Sequence, residues 1–147
     1  MQKFYFCGSI RGGRELAPLY AQIINMLQRH GTVLTEHLGD DRELLDKDSL
    51  LSDEEIHDRD LQWIRDSDMV IAEVTVPSLG VGYEVGRAIH LGKPVLCLFN
   101  EDSGKKLSAM IAGCADVEIC RYNQPEELLN RLSAFILQHP SDNKLSI

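Results

Sequence analysis

No stretch of the 147 residues approaches the roughly 20 consecutive apolar positions needed to span a bilayer, so no transmembrane helix is expected. The first residues run straight into a strand-like segment, without the basic start and small-residue cleavage site of a secretory leader. The four cysteines (Cys7, Cys97, Cys114, Cys120) form no C-x-x-C pair, and Cys7 and Cys97 lie in apolar segments. They read as buried free thiols of a reducing compartment. None of the five histidines has metal-ligand spacing, so no metal site is expected. There is no basic excess either. The net charge is -8, which argues against a nucleic-acid polymer as partner.

The acidity is local. Residues 40–60 hold ten acids and three bases, leaving 13 acids and 12 bases for the rest of the chain. A run of this kind usually forms a solvated face. The near-neutral remainder still allows a small anionic ligand wherever basic groups converge.

Apolar runs alternate with helical periodicity. Strands are expected at 3–8 (KFYFCG), 32–35 (TVLT), 69–74 (MVIAEV), 94–99 (PVLCLF) and 117–120. Helical spacing follows through Leu16, Leu19, Ile23 and Leu27, with Pro18 near the first turn and Gly31 as the C-terminal stop. Ser52 and Glu55 have the form of a capping box ahead of a helix running to about Ser67. Further helices are expected at 81–91, closed by Gly92, at 106–111 and at 125–138. Apolar strands alternating with helices indicate an α/β fold, a single doubly wound domain of Rossmann-like or flavodoxin-like order with a five-stranded parallel sheet. The domain is expected over 1–139, with a frayed tail over 140–147.

Ligands of such sheets bind beyond the carboxyl ends of the strands. The loop G-S-I-R-G-G-R from Gly8 brings glycines, backbone N–H groups and two arginines to the start of a helix. That composition suits a phosphate or sugar, and equally a tight turn. The segment P-S-L-G-V-G-Y-E from Pro77 places Ser78, Gly80 and Gly82 at a helix N-terminus, with Glu84 expected in its first turn. Glu84 is then either a dipole-stabilising residue or a carboxylate aimed into a cleft. Glycosidic chemistry would need a second acid. Asp60 is a candidate, but Glu54, Glu55 and Asp58 lie close by, and spacing does not select among them.

Five blocks in one order carry a resemblance. Y-F-C-G-S-I-R-G-G-R-E from Tyr5, T-V-L-T-E-H from Thr32, I-H-D-R-D-L-Q-W from Ile56, P-S-L-G-V-G-Y-E-V-G-R-A from Pro77 and L-S-A-M-I from Leu107 resemble the 2'-deoxynucleoside 5'-phosphate N-hydrolases. The likeness runs from about Phe4 to Asp116 and is least in the acidic segment 39–53. It implies a homodimeric Rossmann-like hydrolase with no cofactor, which releases a nucleobase and leaves 2-deoxyribose 5-phosphate. Some members act on the monophosphate of 5-hydroxymethyluracil and so clean the nucleotide pool. Glu84 matches the nucleophile, Asp60 the neighbouring acid, and Tyr5 a hydroxyl that helps orient or protonate the site. Gly8, Ile10, Arg11, Ser78 and Gly80 match phosphate and sugar contacts, His37 a residue near the base, and Ser108 a phosphate ligand donated across the dimer. A cytoplasmic location is expected, with passive nuclear entry open to a 16.5 kDa chain.

The related nucleoside 2-deoxyribosyltransferases are the competing reading. They tend to carry an aspartate six residues before the nucleophile, where this chain has Ser78. An aspartate there would repel a phosphate dianion, whereas a hydroxyl and nearby N–H groups accept it. A non-catalytic nucleotide-binding module and an FMN-binding flavodoxin-like domain are the readings outside this class. As a hydrolase, the chain is expected to keep Glu84 ionised with help from the helix N-terminus, and to raise the pKa of Asp60.

Overall fold

The computed structural model describes residues 1–10, 14–35, 38 and 49–141. Strand β1 (Gln2–Gly8) is followed by a 3-10 turn (Arg14–Leu16) and helix α1 (Ala17–Gln28). Next come β2 (Gly31–Val33), α2 (Asp53–Asp66), β3 (Met69–Glu73), α3 (Leu79–His90) and β4 (Val95–Asn100). Short helix α4 (Ala109–Ala112), β5 (Glu118–Tyr122) and α5 (Leu128–Gln138) complete the order. The five strands form one parallel sheet in the order β2-β1-β3-β4-β5, as expected of the flavodoxin-like order. Among the described residues, no helix is long and apolar enough to cross a membrane.

Strand alternation sorts the core into two layers. Phe4 and Phe6 of β1, with Met69 and Ile71 of β3, pack under α1 and α5 against Ile23, Leu27, Leu132 and Phe135. Tyr5 and Cys7, with Val70 and Ala72, pack under α2 and α3 against Ile64, Val81 and Val85. Because both faces are covered, the strands are apolar throughout rather than alternating. Three cysteines (Cys7, Cys97, Cys120) are buried, and all four are free.

The Ser52–Glu55 capping box forms in both directions. Pro18 sits in the first turn of α1, and Gly92 (φ 73°) closes α3. Two local expectations are corrected. Gly31 is not a left-handed helix stop; it opens β2, where a Cβ would lie 2.1 Å from the Gln2 carbonyl oxygen. Close approach to β1 is what requires glycine there. Strand β2 also ends at Val33, before the expected Thr35. The Thr35 hydroxyl accepts from the Phe6 N–H (3.0 Å) and donates to the Phe6 carbonyl (2.6 Å), so a side chain replaces the next ladder bonds. The tail beyond residue 141 lies outside the described residues.

Candidate active site

The carboxyl ends of β1 and β3 meet the N-terminus of α3 around a cavity of about 510 Å³. Its lining brings together Gly8, Ile10, Ser78, Gly80 and Glu84, five of the expected site residues, with Ser9 and Pro77. β1 passes close to α1 at Gly8. A Cβ there would lie 2.5 Å from the Tyr20 ring, whose hydroxyl donates to the Ser9 carbonyl at 2.9 Å. Ser78 caps α3 by accepting from the Val81 N–H at 3.3 Å. A second cleft of about 190 Å³ lies between α2 and α3, lined by Asp60, His57, Tyr83, Gly80 and Glu84 among others. Gly80 and Glu84 belong to both spaces, so Glu84 stands at the wall between the first cavity and the Asp60 cleft.

Asp60 is the acid that α2 turns toward this wall. Glu54, Glu55 and Asp58 are exposed, whereas Asp60 is partly buried and pairs with Arg59 at 2.9 Å. Arg59 in turn lies over the Trp63 ring at 4.7 Å. Tyr5 and Cys7, two residues apart on one face of β1, both hydrogen-bond the Glu84 carboxyl. Burial, and then the charge of Glu84, push the Tyr5 hydroxyl far above its usual range, so it remains a donor. Burial does the same to the Cys7 thiol.

Glu84 departs from expectation. It is the sixth residue of α3 rather than part of its first turn, and the helix field falls off within that turn. Its pKa is pushed up to about 7, mainly by burial and then by the charge of Asp60, against hydrogen bonds from Cys7 and Tyr5 that favour the anion. The charge of Asp60 across the cleft thus adds to burial in favouring the protonated form of Glu84.

Ser108 lies elsewhere within the chain. It caps α4 by accepting from the Met110 N–H at 3.3 Å, and it lines a separate groove of about 610 Å³. That groove shares Pro77, Ser78, Leu79 and Val81 with the first cavity. Arg11 and His37 lie outside the described residues.

The family profile of the nucleoside 2-deoxyribosyltransferases matches residues 4–129. The chain belongs to this family. Within it, the chain is 59% identical over 113 residues to the 5-hydroxymethyl-dUMP N-hydrolase of Rattus norvegicus, covering 76% of this chain and 69% of the relative. The protein of the same name from Tetraodon nigroviridis is 59% identical over 113 residues, covering 76% and 79%. The solved structure of a Clostridium botulinum CMP N-glycosidase superposes with a TM-score of 0.64 at 19% identity, covering 91% of this chain and 99% of that one. That likeness bears on the fold alone.

One member of this site, Cys7, and one residue that supports it from the other face of the sheet, Glu73, are not among the residues that the resemblance matches to the site. Cys7 read only as a buried thiol. Its place two residues after Tyr5, on the same strand face, was the available signal. Glu73 ends the apolar strand β3 as a charged residue, which was also a signal. It is 3% exposed, accepts from the Thr75 N–H (2.7 Å) and from the Tyr122 hydroxyl (2.5 Å), and so ties down the start of the loop leading to Ser78.

Proposed function

We propose that this nucleoside 2-deoxyribosyltransferase family member is an N-hydrolase of 2'-deoxynucleoside 5'-monophosphates, with 5-hydroxymethyl-dUMP as the first substrate to test. The observation that carries the reading is the position of Glu84, in a wall shared by a cavity at a helix N-terminus and by the Asp60 cleft. The high identity to nucleotide N-hydrolases supports the same chemistry.

In this reading the 5'-phosphate sits at Ser78 and Gly80, where a hydroxyl and free N–H groups accept an anion. Gly8 and Ile10 line the sugar side. The Glu84 carboxylate forms a bond to C1' as the C1'–N bond breaks, and the leaving electron pair takes the proton of Asp60 onto the base. Water then attacks C1', gives its proton to Asp60 and releases Glu84 with 2-deoxyribose 5-phosphate. Two neighbouring carboxyls suit this division of labour, since one group must be ionised and the other protonated. Positive charge building at C1' favours the arrangement with the anion on Glu84 and the proton on Asp60. Tyr5 and Cys7 hold the Glu84 carboxylate from the β1 side. Arg11 is proposed at the phosphate and His37 near the base, on the family resemblance. No cofactor is needed.

A homodimer completes the site. Leu79 (96% exposed) and Met110 (84% exposed) lie in the apolar groove that holds Ser108, and Leu79 also lines the phosphate cavity. A second copy seated on that groove would bring its Ser108 to the phosphate. Leu79→Glu should leave a monomer with a raised KM, measured by sedimentation and kinetics. Free thiols suit a reducing compartment such as the cytoplasm, and passive nuclear entry is open at this size.

The deciding experiment is base release from a panel of deoxynucleoside monophosphates by the parent and by Glu84→Gln, with and without a competing free base. Base release that is lost in Glu84→Gln, with no new nucleotide formed, supports the hydrolase. A new nucleotide containing the added base would make it a transferase. Equal turnover of a deoxynucleoside and its monophosphate would remove the phosphate site.

A further inference from the structure

Asp60 sits on the poorly anchored half of its helix. None of the first eight residues of α2 is buried, and Leu61 and Ile64 are its buried positions. A segment with few buried apolar contacts opens at low cost. Yet catalysis by two carboxyls on different helices needs their separation fixed, because misplacement of reacting groups by 1 Å can cost about 100-fold.

A chain of hydrogen bonds crosses between the helices at this point. The Arg87 Nη1 donates to the Tyr83 hydroxyl at 2.7 Å. The hydroxyl then has its own proton to give, and His57 Nε2 lies 2.7 Å away. With Nε2 accepting, the imidazole proton is on Nδ1, 2.9 Å from Asp58 Oδ1. One assignment of protons therefore satisfies every bond. The His57 and Tyr83 rings also face each other with centroids 5.6 Å apart. His57 is one turn before Asp60, and Tyr83 immediately precedes Glu84. Both line the cleft into which the two acids open.

We infer that His57 and Tyr83 are positioning residues, forming a strap that holds the unpacked half of α2 against α3 and so sets the spacing of Asp60 and Glu84. The strap rests on the assignment of those two acids as the reacting pair. The groups facing Glu84 are Asp60 from α2 and Tyr5 and Cys7 from β1, with Asp53, His57 and Tyr83 around the same cleft. Loosening the strap lets Asp60 move away from Glu84, which weakens the repulsion that retains the pair's last proton. Activity that depends on that proton is then lost at lower pH.

Tyr83→Phe and His57→Ala test this, measured by kcat, KM and pH profile on a deoxynucleoside monophosphate. Both positions are exposed, so the fold is not at stake. For either variant we expect kcat to fall about tenfold, with KM within about twofold and an unchanged Tm. The alkaline limb should move to lower pH, and the double variant should be no worse than the single ones. An unchanged kcat and limb in Tyr83→Phe would overturn the strap, as would additive losses in the double variant. Glu84→Gln is the control. If it stays active, the pair and the strap fall together; if it is inactive beside an unimpaired Tyr83→Phe, the strap alone falls.

Discussion

A buried glutamate, Glu73, and a half-buried one, Glu84, stand on opposite faces of this sheet, and each meets a tyrosine hydroxyl. Glu73 projects to the α1/α5 side and is sealed. Tyr122 and the Thr75 N–H satisfy it, and Thr75 Oγ1 accepts in turn from the Asn100 N–H at 2.9 Å. Glu84 reaches from α3 toward Tyr5 on the other face, but it opens on two cavities and faces a second acid. Burial raises the pKa of both. The difference lies in what stands opposite. Donors alone make a carboxyl a structural knot, whereas a like charge and open space leave it titratable and reachable.

The largest expected effect separates the two in activity. Glu84→Gln should lower base release by about 10³-fold or more, as loss of a nucleophile does. Glu73→Gln, which keeps an acceptor for Thr75, should retain most of the parent kcat. Steady-state kinetics on one monophosphate compares them directly, and a comparable collapse in Glu73→Gln would erase the distinction.

Stability should rank them the other way. Glu73→Ala leaves the Tyr122 hydroxyl and the Thr75 N–H buried without their partner, at a cost of about 2–4 kcal/mol. The kinetic penalty should fall mainly on KM, because the loosened loop leads to Ser78. Denaturant melts and KM for the monophosphate check both parts.

Glu84→Gln should instead stabilise the protein above neutral pH. Below about pH 4.5 Glu84 is protonated both folded and unfolded, and it adds no pH dependence. As pH rises toward 7 the unfolded chain loses this proton first, so the parent loses stability; above 7 the whole penalty is present. The variant carries no such penalty, and its advantage should grow to the order of 2–3 kcal/mol between pH 4.5 and 7 and then level off. Melts at pH 4, 6 and 8 read this, and a constant difference across the three would mean that Glu84 is not desolvated as the fold implies.

The sheet was legible in the sequence because each strand, covered on both faces, is a short apolar run between turn residues. Its edges were less so. Nothing local in T-V-L-T says that the Thr35 hydroxyl will take over the backbone groups of Phe6, and Gly31 is required by the Gln2 carbonyl of a distant strand. The site was legible as blocks of residues rather than as geometry. Asp60 could not be told from Asp58, Glu54 or Glu55 until α2 was set against α3, with Leu61 and Ile64 inward. The expected ionising field on Glu84 failed because the Ser78 cap starts the helix at Leu79, two residues before the expected start at 81, which puts Glu84 beyond the first turn. Contacts between separate elements, which spacing does not encode, decide each of these points.

The smallest effect is the sharpest probe of why Glu84 differs from Glu73. Glu73 receives strong donors, a peptide N–H and a phenol. Glu84 receives a phenol and the Cys7 thiol, and a thiol is a weak donor. On the proposed mechanism, a weak bond would position the carboxylate while leaving its electrons available for attack on C1'. Cys7→Ala removes that bond, so the Glu84 pKa should rise and the alkaline limb of kcat/KM should move to higher pH, with kcat a few-fold lower. Cys7→Ser offers a stronger donor to the same oxygen and should move the limb to lower pH. Opposite displacements from Ala and Ser would place the thiol on the carboxylate; equal profiles in both would reduce Cys7 to a core residue. The direction also separates this contact from the strap, since Tyr83→Phe should move the limb down and Cys7→Ala should move it up.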